Sequence, residues 1–120
     1  TCGFKIIGPN KKILFIPDID KWSLWGKDLI KEVKQIDIAL IDGTFYNSDE
    51  LKTRDLEKIP HPFIIDTMDL FKNEPQSEKE KIHFIHLNHT NPLLNQNSIE
   101  YQNLLDNNYQ ISFKNDNIKL

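Results

Sequence analysis

The chain has 120 residues and a mass of 14.1 kDa, which is enough for one domain with a buried core. Fifteen basic and eighteen acidic residues give a net charge of -3 without any block of one sign, so the clustered basic face of a nucleic-acid module is not expected. No apolar run reaches the roughly 20 residues of a membrane span or resembles a signal peptide, and we expect a cytoplasmic protein without membrane partners.

The first half of the chain predicts a hairpin, a helix and a buried strand. Apolar runs on both sides of the turn at residues 8–10 predict two antiparallel strands. Apolar residues at helical spacing predict a helix from Trp22 to Val33. The apolar run from Ile36 to Ile41 predicts a buried strand. Residues 43–60 are polar and irregular, with one helical turn expected near residues 51–56.

The second half predicts two more helices and three more strands. Pro62 suits the first position of a helix, because its missing N–H costs nothing there. A loop is expected over residues 73–81 and a strand over residues 82–87. Ser98 is a good N-cap for the next helix, and residues 109–120 predict a final hairpin. The order ββ-α-β-α-β-α-ββ indicates a layered α/β fold.

Polar residues follow three of the predicted strands at their carboxyl ends. Asp18 follows the second strand, Asp42 the third, and His86 the fourth. Ligands and catalytic groups favour this edge of an open α/β sheet, and carboxylate with imidazole is a ligand set for zinc, iron or manganese. Each position also has a structural interpretation, since Asp18 could close a turn or cap a helix. Asp42 before glycine is a common turn pair that would tolerate asparagine.

The four histidines differ in how well they suit a site. His83 and His86 should point to opposite faces of their strand, and His86, which begins an irregular segment, is the better ligand. His61 lies between two prolines at a predicted helix start, where it could meet an anionic ligand. His89 fits a turn. The chain has no Gly-rich phosphate loop, Cys-x-x-Cys or Gly-x-Ser-x-Gly motif, which excludes P-loop enzymes, zinc ribbons and α/β-hydrolases.

Four blocks in this order resemble the C-terminal half of metallo-β-lactamase-fold proteins: KILFIPDIDKW, DIALIDGTFYNSDEL, RDLEKIPHPFIIDTMDLF and HFIHLNHTNPLL. They are most similar to the branch of coenzyme PQQ synthesis protein B, in which DGTF and TNP recur in this order. The resemblance implies that residues 1–120 form a single domain, the C-terminal half of an αββα sandwich. The His-x-His-x-Asp-His motif of the N-terminal half is absent from these 120 residues.

The resemblance also implies roles for individual residues. Asp18 matches the aspartate that bridges two metal ions in hydrolytic members, and His86 matches the last histidine ligand. His61 lies near a substrate-side histidine, and His61 or Asp42 would orient substrate or water. The implied cofactor is a pair of zinc ions, with iron or manganese as alternatives. The intact protein would then be a metal-dependent hydrolase of a small-molecule or phosphoester substrate. The fragment alone, with two ligands instead of three, is expected to be inactive.

Two other functions stay open at this point. One is an oxidative enzyme similar to the PQQ-synthesis branch, with iron in the site and a quinone precursor as substrate. The other is a non-catalytic α/β module for binding or dimerisation, in which Asp18 and His86 are turn residues. Half a sandwich would leave one sheet face exposed, so we expect self-association, with Trp22, Trp25 and Phe45 near that face.

Overall fold

The computed structural model describes residues 3–51 and 61–112, and its mixed α/β architecture confirms the expected fold class. The described strands are β1 (Phe4–Ile7), β2 (Lys12–Ile16), β3 (Ile38–Asp42), β4 (Ile82–Ile85) and β5 (Gln110–Ile111). The described α-helices are α1 (Leu29–Lys34), α2 (Ile64–Leu70), α3 (Gln76–Lys79) and α4 (Ile99–Asp106). No helix among the described residues is both long enough and apolar enough to span a bilayer.

The strands form one sheet in the order β1-β2-β3-β4-β5, which is also their order in the chain. β1 and β2 are antiparallel, as the predicted hairpin requires. The pairs β2–β3, β3–β4 and β4–β5 are parallel. Because parallel neighbours end at the same edge, the residues that follow β2, β3 and β4 meet there.

The main hydrophobic core lies on one face of the sheet. Alternate strand residues point to this face, and register pairs Leu14 with Ala39 and Ile41 with Phe84 across neighbouring strands. All four are at most 3% exposed. The same cluster includes buried residues of α1, α2 and α4, namely Leu29, Val33, Ile64 and Leu104. The helices therefore cover this face and fix the strand ends that carry the polar residues.

The opposite face of the sheet is apolar and only partly covered. On it, Phe4 of β1 pairs in register with the half-buried Phe15 of β2 and is itself 59% exposed. Trp22, Trp25 and Phe45 were expected near that face or its rim. Trp22 and Trp25 pack against the main core, and Phe45 is buried. Phe45 is therefore not part of an exposed surface, whereas Trp22 and Trp25 are only partly buried.

The helix predicted over residues 22–33 is interrupted. A short 3-10 helix covers Trp22–Leu24, and α1 begins only at Leu29. Gly26 lies between them with φ +79°, a left-handed conformation that ends helices and that glycine adopts readily. Asp28 then caps α1, because its carboxylate accepts the N–H of Ile30 at 3.0 Å and that of Lys31 at 3.3 Å.

Other boundaries also differ from prediction. α2 begins at Ile64, so Pro62 is not its first residue, and Asp66 Oδ2 accepts the Phe63 N–H at the helix start. α3 occupies part of the predicted loop. The Ser98 N-cap of α4 is confirmed, since its hydroxyl accepts the Tyr101 N–H at 3.1 Å.

Two predicted elements fall partly outside the described residues. β5 pairs parallel with β4, and residues 113–120, which include the rest of the expected final hairpin, lie outside the described part. One helical turn was expected near residues 51–56. A 3-10 helix covers Ser48–Leu51, and residues 52–56 lie outside the described part of the chain.

Candidate functional site

Three of the four predicted site residues follow or end adjacent parallel strands. Asp18 comes two residues after β2, Asp42 is the last residue of β3, and His86 comes directly after β4. His61 approaches the same edge from the segment before α2. There its Nδ1 lies 2.7 Å from Asp42 Oδ2 and 3.5 Å from Asp18 Oδ1.

Asp18, Asp42 and His61 form a compact group of potential metal ligands. One ligand atom of each lies within 4.8 Å of the other two. The Asp42 side chain is completely buried, that of His61 is mostly buried, and that of Asp18 is 65% exposed. His86 is not a member of this group among the described residues. The structure thus brings one predicted metal ligand together with both residues predicted to orient substrate or water.

The carboxylate of Asp42 accepts four hydrogen bonds. Oδ1 accepts the Thr44 N–H at 2.9 Å and the Thr44 hydroxyl at 2.7 Å. Oδ2 accepts the Ile19 N–H at 3.1 Å and lies 2.7 Å from His61 Nδ1. A carboxylate offers about four lone pairs, so these partners use its whole acceptor capacity. Asp42 is therefore built into the site as an acceptor, and an asparagine amide, which has one acceptor oxygen, would not offer all four partners an acceptor.

The Asp42 carboxylate, whose acceptor positions are all occupied, determines the tautomer of His61. An ionised carboxylate only accepts, so the hydrogen between Asp42 and His61 belongs to Nδ1 of the imidazole. The second ring nitrogen of His61, Nε2, is then left with its lone pair. A histidine held by a carboxylate in this way suits either proton transfer or metal binding through the opposite nitrogen.

Thr44 lies between His61 and His86, and it was not among the residues predicted from the sequence. Its hydroxyl oxygen lies 3.4 Å from Nδ1 of His61 and 3.4 Å from Nδ1 of His86. The two imidazoles are therefore close neighbours, although His86 is outside the compact group. The available signal was the Asp42-Gly43-Thr44 sequence, because aspartate often bonds the backbone N–H two residues ahead.

The backbone of His86 is unusual for a residue with a side chain. Its φ is 63°, in the left-handed region that residues other than glycine seldom occupy. Such conformations persist where the surroundings hold them, and they concentrate at functional sites. The side chain is exposed, whereas His83 on β4 lies 2.9 Å from the Ser112 hydroxyl through its Nδ1. The two histidines accordingly have different surroundings.

Asn91 is a second residue that the sequence analysis missed. It is 3% exposed, and its amide donates to the carbonyls of Gly43 at 2.9 Å and Thr44 at 3.3 Å. Its carbonyl oxygen accepts the Leu93 N–H at 3.0 Å. The Asn88 N–H also donates to the Thr44 carbonyl at 2.9 Å. These bonds tie the segment after β4 to the segment after β3. The Thr-Asn-Pro sequence was the signal available for it.

Residues 1–88 match the family model described as "Beta-lactamase superfamily domain". Among curated proteins, "Coenzyme PQQ synthesis protein B" of Acinetobacter baumannii (strain ACICU) is 28% identical over 117 residues, covering 92% of this chain and 37% of that protein. The protein of the same name from Pseudomonas syringae pv. tomato is 25% identical over 117 residues, covering 91% and 37%. The chain thus spans little more than a third of the length of these relatives.

A solved structure shares the fold. The crystal structure of Zn(2+)-bound PqqB from Methylobacterium extorquens matches with a TM-score of 0.73 and 21% sequence identity. The match covers 98% of this chain and 43% of that chain. The five-stranded sheet described above therefore corresponds to part of a larger fold in that protein.

Proposed function

Because this chain belongs to the beta-lactamase superfamily and has a metallo-β-lactamase fold, we propose that it contributes to the metal centre of a metal-dependent hydrolase. The observation that carries this proposal is the buried Asp42–His61 pair beside the exposed carboxylate of Asp18. A buried carboxylate whose acceptor positions are all occupied holds the histidine in one orientation. The opposite nitrogen of the imidazole is then available for proton transfer or metal binding. The substrate would be a small molecule or a phosphoester.

In this proposal Asp18 and His86 hold the metal. The donor set fits a divalent transition metal, because zinc, iron and manganese all bind carboxylate and imidazole. The Asp18 carboxylate is mostly exposed, and the His86 side chain is exposed at the same edge of the sheet. Zinc is the first choice, with two ions in the intact protein and iron or manganese as alternatives. A bound metal lowers the pKa of a water molecule and polarises the bond to be broken.

His61 and Asp42 would handle the proton. With its hydrogen on Nδ1, His61 can accept a proton at Nε2 from the attacking water and return it to the leaving oxygen. Asp42 stabilises the positive imidazole that forms in between, because it lies 2.7 Å from Nδ1 and is shielded from solvent. In the hydrolysis of a phosphodiester, the water adds to phosphorus, one P–O ester bond breaks, and the leaving alkoxide takes the proton.

The central test replaces Asp18 with alanine in the protein that carries this chain. We expect Asp18→Ala to lower the metal content and abolish the hydrolysis of bis(p-nitrophenyl) phosphate while leaving the melting temperature unchanged, because the side chain is exposed. Mass spectrometry of the bound metals and a colorimetric assay measure the two effects. Asp69→Ala is the matched control, since its side chain is 73% exposed and pairs with Lys72 on the surface rather than with a candidate site residue. Unchanged metal content and activity in Asp18→Ala would refute the proposal.

His86→Ala tests the second ligand separately. We expect it to lower the metal content by one ion per chain, with a larger effect on metal affinity than on stability. His89→Ala is the control, because His89 is exposed in the same segment. Equal metal content in both variants would remove His86 from the ligand set and leave the role of Asp18 to be judged by its own variant.

A second candidate function follows from the names of the relatives. Five curated relatives match significantly, and those described above are named for PQQ synthesis, so a metal-dependent oxidative step in making a quinone cofactor is the alternative. Iron as the native metal, with no phosphodiesterase activity, would favour this alternative. A protein that binds no metal at all would favour the third function, a binding module.

A further inference from the structure

A cavity of about 230 Å³ is lined by residues that follow Asp18 and His61 closely in the chain. The segment that follows Asp18 forms one wall, and the segment that follows His61 forms the other. The lining residues are Lys21, Trp22, Ser23, Pro62, Asp66 and Leu70. Since Lys21 is three residues after Asp18 and Pro62 directly follows His61, the cavity and the site share the same two pieces of chain.

The indole of Trp22 is held in place. Its N–H donates to the Thr67 hydroxyl at 2.8 Å, and its ring meets that of Trp25 edge-on at 5.5 Å. The indole N–H is the only hydrogen-bond donor of the Trp22 side chain, and it is already bonded to the Thr67 hydroxyl. Trp22 therefore contributes carbon surface to the cavity. A wall fixed in advance binds a ligand without the entropy cost of ordering the side chain.

The other walls are mostly apolar as well. Pro62 is buried, and Leu70 is 42% exposed. Asp66 already serves the start of α2, where Oδ2 accepts the Phe63 N–H at 3.3 Å. Cavities that enclose a whole drug-sized ligand measure roughly 300–1,000 Å³, so this smaller one suits a single ring.

We propose that this cavity receives a ring-sized apolar group of the substrate, joined to the group that reacts at the metal centre. The inference rests on the proposed function and adds the class of substrate, an aryl or cyclic ester. It assigns Trp22 and Leu70 as residues that select the substrate without touching the reacting atoms.

The experiment compares phenyl phosphate with methyl phosphate, which differ only in the group that would enter the cavity. We expect phenyl phosphate to bind the metal-loaded protein about tenfold more tightly, as measured by calorimetry. In Leu70→Trp the larger side chain fills the cavity, so this advantage disappears while methyl phosphate binds as before. The control is Leu105→Trp on α4, because Leu105 is 41% exposed and does not line the cavity. It should keep the advantage.

A second measurement separates this inference from the proposed function. Benzyl alcohol, which has no phosphate, is added to the metal-free protein while the Trp22 indole N–H is followed by NMR. A shift of that signal, weakened in Leu70→Ala and unchanged in Leu105→Ala, supports the cavity even if neither phosphate binds and the hydrolase proposal fails. Binding of both phosphates with equal affinity, or no shift with benzyl alcohol, would overturn the inference. So would a folded Leu70→Trp variant that still prefers phenyl phosphate.

Discussion

His61 Nδ1 and Asp42 Oδ2 lie 2.7 Å apart, and the carboxylate of this pair has no exposure to solvent. The two residues are 19 positions apart in the chain, so the contact depends on the packing of the segment before α2 against the end of β3. Asp42 contributes to the fold and to the orientation of the imidazole at once. Variants of Asp42 should therefore change both stability and activity.

We expect Asp42→Asn to destabilise the protein by roughly 3 kcal/mol. The amide group would bring its own N–H donors against those of Thr44, Ile19 or His61, and at least one buried donor would lose its acceptor. Urea unfolding measures the loss. The control is Asp37→Asn, because the exposed Asp37 carboxylate accepts a single N–H, from Lys12 at 2.8 Å, which an amide oxygen can also accept. Equal stability of the two variants would contradict the four-bond arrangement.

Gly43→Ala should cost roughly 1–3 kcal/mol of stability, as is typical of overpacking. An added Cβ would lie 2.9 Å from the Phe84 Cβ and 3.0 Å from the Ile85 carbonyl oxygen. Both neighbours belong to β4, which cannot move without disturbing the sheet. Gly26→Ala is the comparison, since Gly26 has a positive φ but nothing within 4 Å. The smaller loss of stability expected for Gly26→Ala reports only the strain of a side chain at positive φ. Thermal unfolding of both variants then gives the additional cost of the close contacts at Gly43.

Asn91→Ala should destabilise the protein by about 2 kcal/mol and weaken metal binding at the same time. Without the amide, the Gly43 carbonyl and the Leu93 N–H lose this partner, and the segment that carries His86 is bonded to the Thr44 carbonyl through the Asn88 N–H alone of the two bonds described above. Calorimetry and metal titration measure the two effects. Asn97→Ala, at an exposed position, should change neither. Loss of stability with normal metal affinity would show that Asn91 supports the fold alone.

Tyr109 should make the protein less stable in alkaline solution. Burial raises its pKa to about 12, from an ordinary value of 10. The folded state therefore favours the neutral phenol, and its contribution to stability is complete below pH 10 and is lost as the pH rises towards 12. Spectrophotometric titration at the phenolate band follows the ionisation. In Tyr109→Phe this part of the pH dependence should disappear, together with the hydrogen bond from the hydroxyl to the Met68 carbonyl.

The strands β1 to β4 and the polar residues at the ends of β2, β3 and β4 could be predicted from the sequence. Apolar runs that end in Asp18, Asp42 and His86 mark buried strands, and parallel pairing brings their ends together. The resemblance to the metallo-β-lactamase fold, carried by four ordered blocks, is confirmed by the family match. The helix over residues 22–33 was predicted wrongly, because tryptophans at positions 22 and 25 also fit a 3-10 turn.

Side-chain networks were much harder to predict. Nothing in a local pattern reveals that Asp42 will meet His61, or that Asn91 will reach back to Gly43, 48 positions earlier. Thr44 lies two residues after Asp42, yet its nearness to two histidines depends on the packing of three segments. The roles of Asp18, Asp42, His61 and His86 stay predictions until the variants above are measured.

Because the sheet is arranged in chain order, each new strand can pair with the one before it as the polypeptide leaves the ribosome. Within these 120 residues the hairpin and Asp18 are made before β3, which carries Asp42, and His61 follows before β4 has been made. The amide that joins the last two segments is contributed by Asn91, after all four candidate site residues. A nascent chain arrested before residue 91 should therefore present aspartate and histidine side chains that are not yet held in register. Under the proposed function, metal binding by the nascent chain should therefore strengthen once Asn91 has left the exit tunnel.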